Sequence, residues 1–152
     1  MKHIVIRIGL LALGVCLLGA LPAPALPNLT TSPTNDASQL DLDGEGTAST
    51  HIVKVADVTV STDNASGLTL TISSGDIKQV EGQPISFQVT TVVDNASPPS
   101  NGDFSTTSGN NYTYANGAAG VESRDVYIRY TPLSLQDPGD YASLMNLSVV
   151  DN

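Results

Sequence analysis

The sequence predicts an all-β protein, an antiparallel β-sandwich of five or six short strands. From residue 51 onward, apolar and polar residues alternate in short runs, the period expected of strands with one wet face. Turns rich in Asn, Asp, Ser and Gly separate these runs every 8 to 12 residues or so, a spacing typical of sandwiches. No ten-residue stretch in this region has a convincing helical period, so helices are not expected there.

The individual strands are predicted from alternation. In order along the chain, the runs are ADVTVST, GLTLTISSG, PISFQVTTVV and RDVYIRYT. The residues predicted to face the core are Val58, Val60, Leu68, Leu70, Ile72, Ile85, Phe87, Val89, Val93, Val126, Ile128 and Tyr130. The tetrapeptide Asp-Asn-Ala-Ser follows two of the runs, at Asp63 and Asp94, where Asx side chains can satisfy local backbone groups. Residues 98–120 are expected to form a surface loop that encloses one short strand at residues 112–115.

Residues 1–25 have the pattern of a secretory signal. Lys2 and Arg7 precede an apolar run, and Ala23-Pro24-Ala25 provides small residues for a cleavage site. The run is shorter than the ~20 residues that span a bilayer, which disfavours a retained anchor. The mature protein is therefore expected to be secreted or held at the cell surface, to pass through the periplasm, and to have no membrane segment.

Composition and charge exclude several functions. After removal of residues 1–25, four basic residues remain against fifteen acidic ones, a net charge of −11. Nucleic-acid binding needs clustered Lys and Arg and is not expected. The one cysteine, Cys16, lies in the signal, so disulfides, thiol catalysis and cysteine-based zinc sites are excluded from the mature protein.

Residues 26–50 are predicted to be a flexible extension, and residues 51–152 the sandwich domain. The extension is rich in Thr, Ser, Pro, Asn, Asp and Gly and contains four leucines but no aromatic residue. Its pair Leu40 and Leu42 is a weak candidate for a strand donated to another subunit. Two alternatives remain open: the extension folds back on its own domain, or the run from His51 to Val60 supplies the pairing within the chain.

The stretch Asp137-Pro138-Gly139-Asp140-Tyr141 refines the predicted architecture. An Asp-x-Gly-x-Tyr step resembles the tyrosine corner of immunoglobulin-like sandwiches, in which a Tyr at the start of strand F bonds back to upstream backbone. Tyr141 would then open strand F, with Met145, Leu147 and Val149 on its core face. The sequence ends before a strand G, so we expect an immunoglobulin-like sandwich that lacks its last strand. Such an edge invites a partner strand, and these four residues would line the accepting groove.

Several stretches of the chain resemble the spore coat protein U family of secreted bacterial proteins, relatives of the subunits of chaperone–usher fimbriae. The stretches are GLTLTISSGD, ISFQV, DVYIRYTP and PGDYASLMNLSVVDN, within residues 58–150. The resemblance implies an extracellular immunoglobulin-like subunit of a pilus or surface coat, acting in adhesion or biofilm formation. It implies other copies, related surface subunits or a periplasmic chaperone as partners.

Residues for catalysis and cofactors are not evident. A Ser–His–Asp enzyme needs a histidine base, and the mature chain has one histidine, His51, without a Gly-x-Ser-x-Gly elbow, phosphate loop or zinc spacing. A non-enzymatic protein without a cofactor is therefore expected. Asp41, Asp43 and Glu45 resemble the opening of a calcium loop but lack its closing carboxylate, so they are weak metal candidates and fit a solvated acidic turn better.

The alternative function is a monomeric extracellular carbohydrate-binding module. Tyr112 and Tyr114 lie two residues apart in NYTYANG, so a strand would place both on one side. An exposed aromatic pair of this kind can stack on sugar rings. The competing interpretation is that both residues close the core.

Overall fold

The structure, a computed structural model, describes residues 4–10, 26–43 and 46–152, and of residues 4–10 only the backbone. The protein is all-β, as predicted. Its strands are β1 (Ile4–Leu10), β2 (Asn28–Pro33), β3 (His51–Thr62), β4 (Leu68–Ser74), β5 (Phe87–Val93), β6 (Thr106–Thr107), β7 (Asn111–Ala115), β8 (Gly120–Tyr130) and β9 (Tyr141–Asp151). Two short 3₁₀ turns, Asn35–Ser38 and Asn101–Asp103, lie in the connections. No helix in the described residues is long and apolar enough to cross a bilayer.

The strands form two sheets. The first has the order β1-β9-β4-β7 and the second the order β2-β3-β8-β5-β6. All pairs are antiparallel except β1 with β9, which run parallel. A bulge after Lys54 shifts the β3–β8 register, and both residues that follow it, Val55 and Ala56, are buried.

The core lies between the sheets and includes most of the apolar residues predicted from alternation. Val58, Leu70, Ile72, Phe87 and Ile128 are all at most 1% exposed. One predicted core position is wrong, because Val93 is 59% exposed at the end of β5. Two residues earlier in β5, the core-facing position is occupied by Thr91, which is buried and accepts a hydrogen bond from Arg124 Nε at 2.9 Å.

The prediction of a flexible extension is wrong for the described part of residues 26–50. Residues 28–33 form β2, which pairs antiparallel with β3 from Asn28↔Ser61 to Pro33↔Ala56. Leu29, Leu40 and Leu42 are each at most 8% exposed and belong to the core. The physical reason is that a few well-placed leucines bury enough apolar area to hold a polar segment, at about 1.5–3 kcal/mol for each fully buried side chain. Of the alternatives that the sequence left open, folding back on the same domain is the one observed.

The predicted signal lies mostly outside the described residues, namely at residues 1–3 and 11–25. Its described part, residues 4–10, is strand β1. The long polar loop does enclose a short strand, β7, and a two-residue strand, β6, precedes it. Part of this loop lies over the outer face of the second sheet, where Arg129 Nη1 donates a hydrogen bond to the carbonyl of Asn101 at 2.7 Å.

Candidate strand-accepting edge

Strand β9 alternates between core and solvent along most of its length. Tyr141, Ser143, Met145 and Leu147 are each at most 7% exposed, and the residues between them are exposed. Val149, the last predicted groove residue, is half-buried and packs against the core. The four residues predicted to line a groove are therefore brought onto one face of one strand.

One edge of β9 is paired within the sandwich along most of its length. Its antiparallel register with β4 runs from Leu68↔Asp151 to Ser74↔Met145. An isolated bridge between Lys78 and Ala142 continues this pairing toward the start of β9, with hydrogen bonds of 3.0 Å in both directions. This edge is closed to any partner.

The other edge of β9, called the outer edge here, pairs with β1. The parallel register runs without a shift from Ile4↔Tyr141 to Leu10↔Leu147. Among the residues that the structure describes, β1 is the strand on this side. Its register ends at Leu147, so Ser148–Asp151 have no neighbouring strand on this side. The sequence predicted a missing strand here, but it did not predict that residues 4–10 take its place, because their apolar run is equally typical of a signal.

The start of β9 is fixed by a tyrosine corner, as the resemblance to immunoglobulin-like sandwiches implied. The Tyr141 hydroxyl donates to the carbonyl of Asp137 at 3.0 Å and accepts from Gln136 Nε2 at 2.6 Å. Gln136 Nε2 also lies 2.9 Å from the carbonyl of Gln83, which ties the corner to the β4–β5 connection. Gln136 was not predicted, because a buried glutamine has no signature in the sequence.

Ser143 lies two residues after Tyr141 on the buried face of β9. Its hydroxyl donates to the carbonyl of Gly75 at 2.7 Å, so the buried polar atom is satisfied without a disulfide. At the far end of β9, Asn152 Nδ2 donates to the carbonyls of Asn116 (2.9 Å) and Ser66 (3.2 Å). Both ends of the strand are therefore held by side-chain hydrogen bonds.

No protein-family model matches the chain, and no curated protein is similar to it. The likeness to spore coat protein U therefore continues to rest on the short stretches of sequence that suggested it.

Tyr112 and Tyr114 do not form the exposed pair that sugar stacking requires. Both are half-buried and pack against the core. The Tyr112 hydroxyl lies 2.8 Å from the Thr91 hydroxyl, and the Tyr114 hydroxyl donates to Glu122 Oε1 at 2.7 Å. The Arg124 guanidinium carbon lies 3.6 Å from the Tyr114 ring centre and covers one face of the ring. Their contacts match the interpretation in which they close the core.

The calcium candidates close a turn instead of surrounding an open site. Asp41 Oδ1 accepts from the Asp43 backbone N–H at 2.9 Å, and Asp43 Oδ2 accepts from the Ser49 N–H at 2.6 Å. Asp43 Oδ1 lies 3.0 Å from His51 Nε2, and the His51 ring stacks on Tyr130 with a centroid distance of 5.2 Å. Glu45 lies outside the described residues.

A second acidic cluster, which sequence reasoning missed, lies on the outer face of the second sheet. Carboxylate oxygens of Asp57, Asp94 and Asp125 come within 4.8 Å of one another. Lys54 Nζ lies 2.6 Å from Asp57 Oδ1 and 2.9 Å from Asp125 Oδ1. Hydrogen bonds to Asp57 and Asp125 raise the pKa of Lys54 above its ordinary value, so the ammonium already serves as the cation of this cluster.

Proposed function

We propose that this chain is a secreted, non-enzymatic structural or adhesive protein, a subunit or accessory component of a bacterial pilus or surface coat that assembles by strand complementation. The observation that carries the proposal is the outer edge of β9. Its described partner is β1, which belongs to the segment predicted to be removed on export. Without β1, the outer edge presents unpaired backbone groups beside a buried apolar face.

Such an edge favours assembly for physical reasons. Unpaired N–H and C=O groups in a row are a template for another strand, and proteins usually blunt or cover them. A strand that adds to the edge satisfies these groups, and its alternate side chains supply specificity. In β9, the buried positions include Tyr141 and Met145, so an added strand would also shield the edge of the core.

The complementing strand comes from a partner and not from residues 26–43. Leu29, Leu40 and Leu42 are buried in their own domain, so donating them to another subunit would first open the core. Other copies, related surface subunits or a periplasmic chaperone are the partners that the resemblance to spore coat protein U implies. That resemblance also supports adhesion or biofilm formation as the role of the assembly.

The test is the state of association of the chain that starts at Leu26. We expect its mass, measured by light scattering after size exclusion, to rise with concentration or on addition of a partner subunit. Amide hydrogen exchange at residues 141–147 should slow in the associated fraction, because the outer edge becomes paired.

Two lysine substitutions on opposite edges of the first sheet form a matched pair. Asn146 on β9 and Thr113 on β7 are both exposed strand residues. Charges on an edge strand oppose the addition of another strand, so Asn146→Lys should reduce association and Thr113→Lys should not. A chain that stays monomeric at every concentration and with every partner tried, with slow exchange at residues 141–147, would contradict the proposal.

A further inference from the structure

We propose that the segment Ile4–Leu10 is the chain's own complementing strand. While residues 1–25 remain attached, it closes the outer edge of β9; their removal opens this edge to a partner. The inference rests on the proposed function, because it names the first occupant of the same edge. It adds that export processing and competence to assemble are coupled.

The register between β1 and β9 is continuous. All seven residues of β1 pair with consecutive residues of β9 without a bulge. Every second residue of β1 is apolar, and each of these stands opposite a buried residue of β9. The pairs are Ile4↔Tyr141, Ile6↔Ser143, Ile8↔Met145 and Leu10↔Leu147. Nonspecific burial of an apolar leader would not require its alternate apolar residues to pair with the buried residues of β9.

The one charged residue in β1 is Arg7. Arg7 stands opposite Leu144, which is 49% exposed on the solvent side of β9. A shift of one residue would exchange the two faces and bring the arginine opposite a buried position. The sequence IVIRIGL therefore fits β9 in the register that is observed, in which Arg7 is paired with an exposed residue.

The connection between β1 and β2 is long enough to allow β1 to run parallel to β9. A parallel pair cannot be joined by a tight turn and needs a long connection. Seventeen residues separate Leu10 from Asn28, where β2 begins, and such a length reaches up to about 55 Å when extended. The leader can therefore reach the outer edge of β9 while β2 stays paired with β3 in the other sheet.

The experiment uses the full chain with a protease site inserted between Ala25 and Leu26. The protein is folded, then cut, and the two forms are compared by amide hydrogen exchange and light scattering. In the uncut form we expect slow exchange at residues 141–147 and a monomeric mass. After cutting and separation from the leader, exchange there should become at least tenfold faster and the mass should rise with concentration.

Two substitutions in the uncut chain separate specific pairing from general stickiness. Ile8→Asp places a charge opposite Met145, which is 0% exposed, and the matched Val5→Asp places one opposite the exposed Ala142. Ile8→Asp should behave like the cut protein and Val5→Asp like the uncut protein. Exchange in the β3–β8 pair verifies in each case that the sandwich has folded.

The outcomes distinguish this inference from the proposed function. If the cut chain assembles through β9 but Ile8→Asp and Val5→Asp behave alike, self-complementation is wrong and strand acceptance stands. If cutting exposes β9 but the protein stays monomeric with every partner, self-complementation holds and the assembly function fails. Unchanged exchange at residues 141–147 after the leader has left overturns the inference, whereas a cut leader that native mass spectrometry finds still bound supports it.

Discussion

Arg124 joins the two sheets through a polar network in the interior. It is 8% exposed, and its guanidinium donates to the Thr91 side chain and backbone and to Glu122 Oε1 at 2.7 Å. Glu122 also accepts from the Tyr114 hydroxyl, and Tyr114 belongs to the other sheet. A buried charge is tolerated only when it is paired and hydrogen-bonded, and this network meets that condition.

The network predicts a specific dependence of stability on acid. Burial opposes ionisation of Glu122, but hydrogen bonds from Tyr114, Arg124 and Asn116 outweigh it and lower the pKa of Glu122. A lowered folded-state pKa stabilises the protein above the unfolded-state pKa, about 4.3 for Glu, and this contribution is lost as the pH falls through the folded-state pKa. Glu122→Gln should therefore cost about 1–3 kcal/mol at pH 7 and flatten the fall in stability as the pH drops below about 4.3. Equal pH slopes in denaturant titrations of the two proteins would contradict this.

Gly139 in the tyrosine corner cannot be replaced without strain. Its φ is +153°, and a Cβ there would lie 1.8 Å from Gln79 Oε1. Gly139→Ala should destabilise the protein by about 1–3 kcal/mol, and the additional change Gln79→Ala should restore only the part due to the clash. Gly117→Ala is the control, since nothing lies within 4 Å of its Cβ position. Thermal melts in which both alanine variants match the parent would show that the corner tolerates a side chain.

Polar residues mark the limit of residue-level prediction from this sequence. Alternation identified the inward positions of β8 because Val126 and Ile128 are apolar, and the tyrosine corner was found because its spacing is fixed. Arg124 is buried on the same inward face. From sequence alone, however, a charged residue at an inward-facing position indicates the end of a strand unless its partners are known. Two of its partners, Thr91 and Tyr114, lie 33 and 10 residues before it in the sequence, so the local sequence does not connect them with Arg124.

At the scale of elements, β2 and the turn after it complete one side of the sandwich. The segment is polar in composition, but its leucines reach the core, and Thr34 Oγ1 donates to the carbonyl of Lys54 at 2.7 Å. The average composition of residues 26–50 predicted flexibility because composition carries no information on which individual residues reach the core. The longer strands after residue 50 were predictable from alternation. Strand β2, with the sequence NLTTSP, has too little alternation, and the apolar run that contains β1 is equally typical of a signal.

Removal of residues 26–50 should therefore unfold the domain and not merely shorten it. A chain starting at His51 loses β2 and three buried leucines, and even one Leu→Ala change in a core costs about 2–5 kcal/mol. Leu42→Ala should lower the free energy of unfolding by an amount in this range, whereas Leu26→Ala, at a residue 71% exposed, should have little effect. Urea denaturation followed by circular dichroism is the measurement, and equal midpoints for the two variants would contradict the observed packing.

The molecule as a whole is stabilised without disulfide bonds, and repulsion among its acidic residues opposes folding. Without residues 1–25, the chain has a net charge of −11, and self-repulsion of this kind destabilises a compact state. Its described ion pairs, such as Lys54 with Asp57, involve few of the acids. Stability therefore depends on burial and on the two internal networks, those of Arg124 and Tyr141.

At pH 7, salt should raise the stability of the chain that starts at Leu26. Ions at 0.5 M shorten the screening length to about 4–5 Å, which weakens the repulsion among the acids more than it weakens the few short ion pairs. We expect a melting temperature several degrees higher in 0.5 M than in 0.02 M sodium chloride. A lower melting temperature at high salt would mean that the ion pairs, in particular those of Lys54, outweigh the repulsion.

The clamping of β9 at both ends has a mechanical consequence. The strand is fixed by Tyr141 at its start and by Asn152 at its end, and between them it is antiparallel to β4 over seven residue pairs. Tension applied along the strand loads these backbone hydrogen bonds in shear, so that many must break together, whereas a pull across the strand would open them one at a time. Strand β9 should therefore resist a load along its own axis more strongly than a load across it.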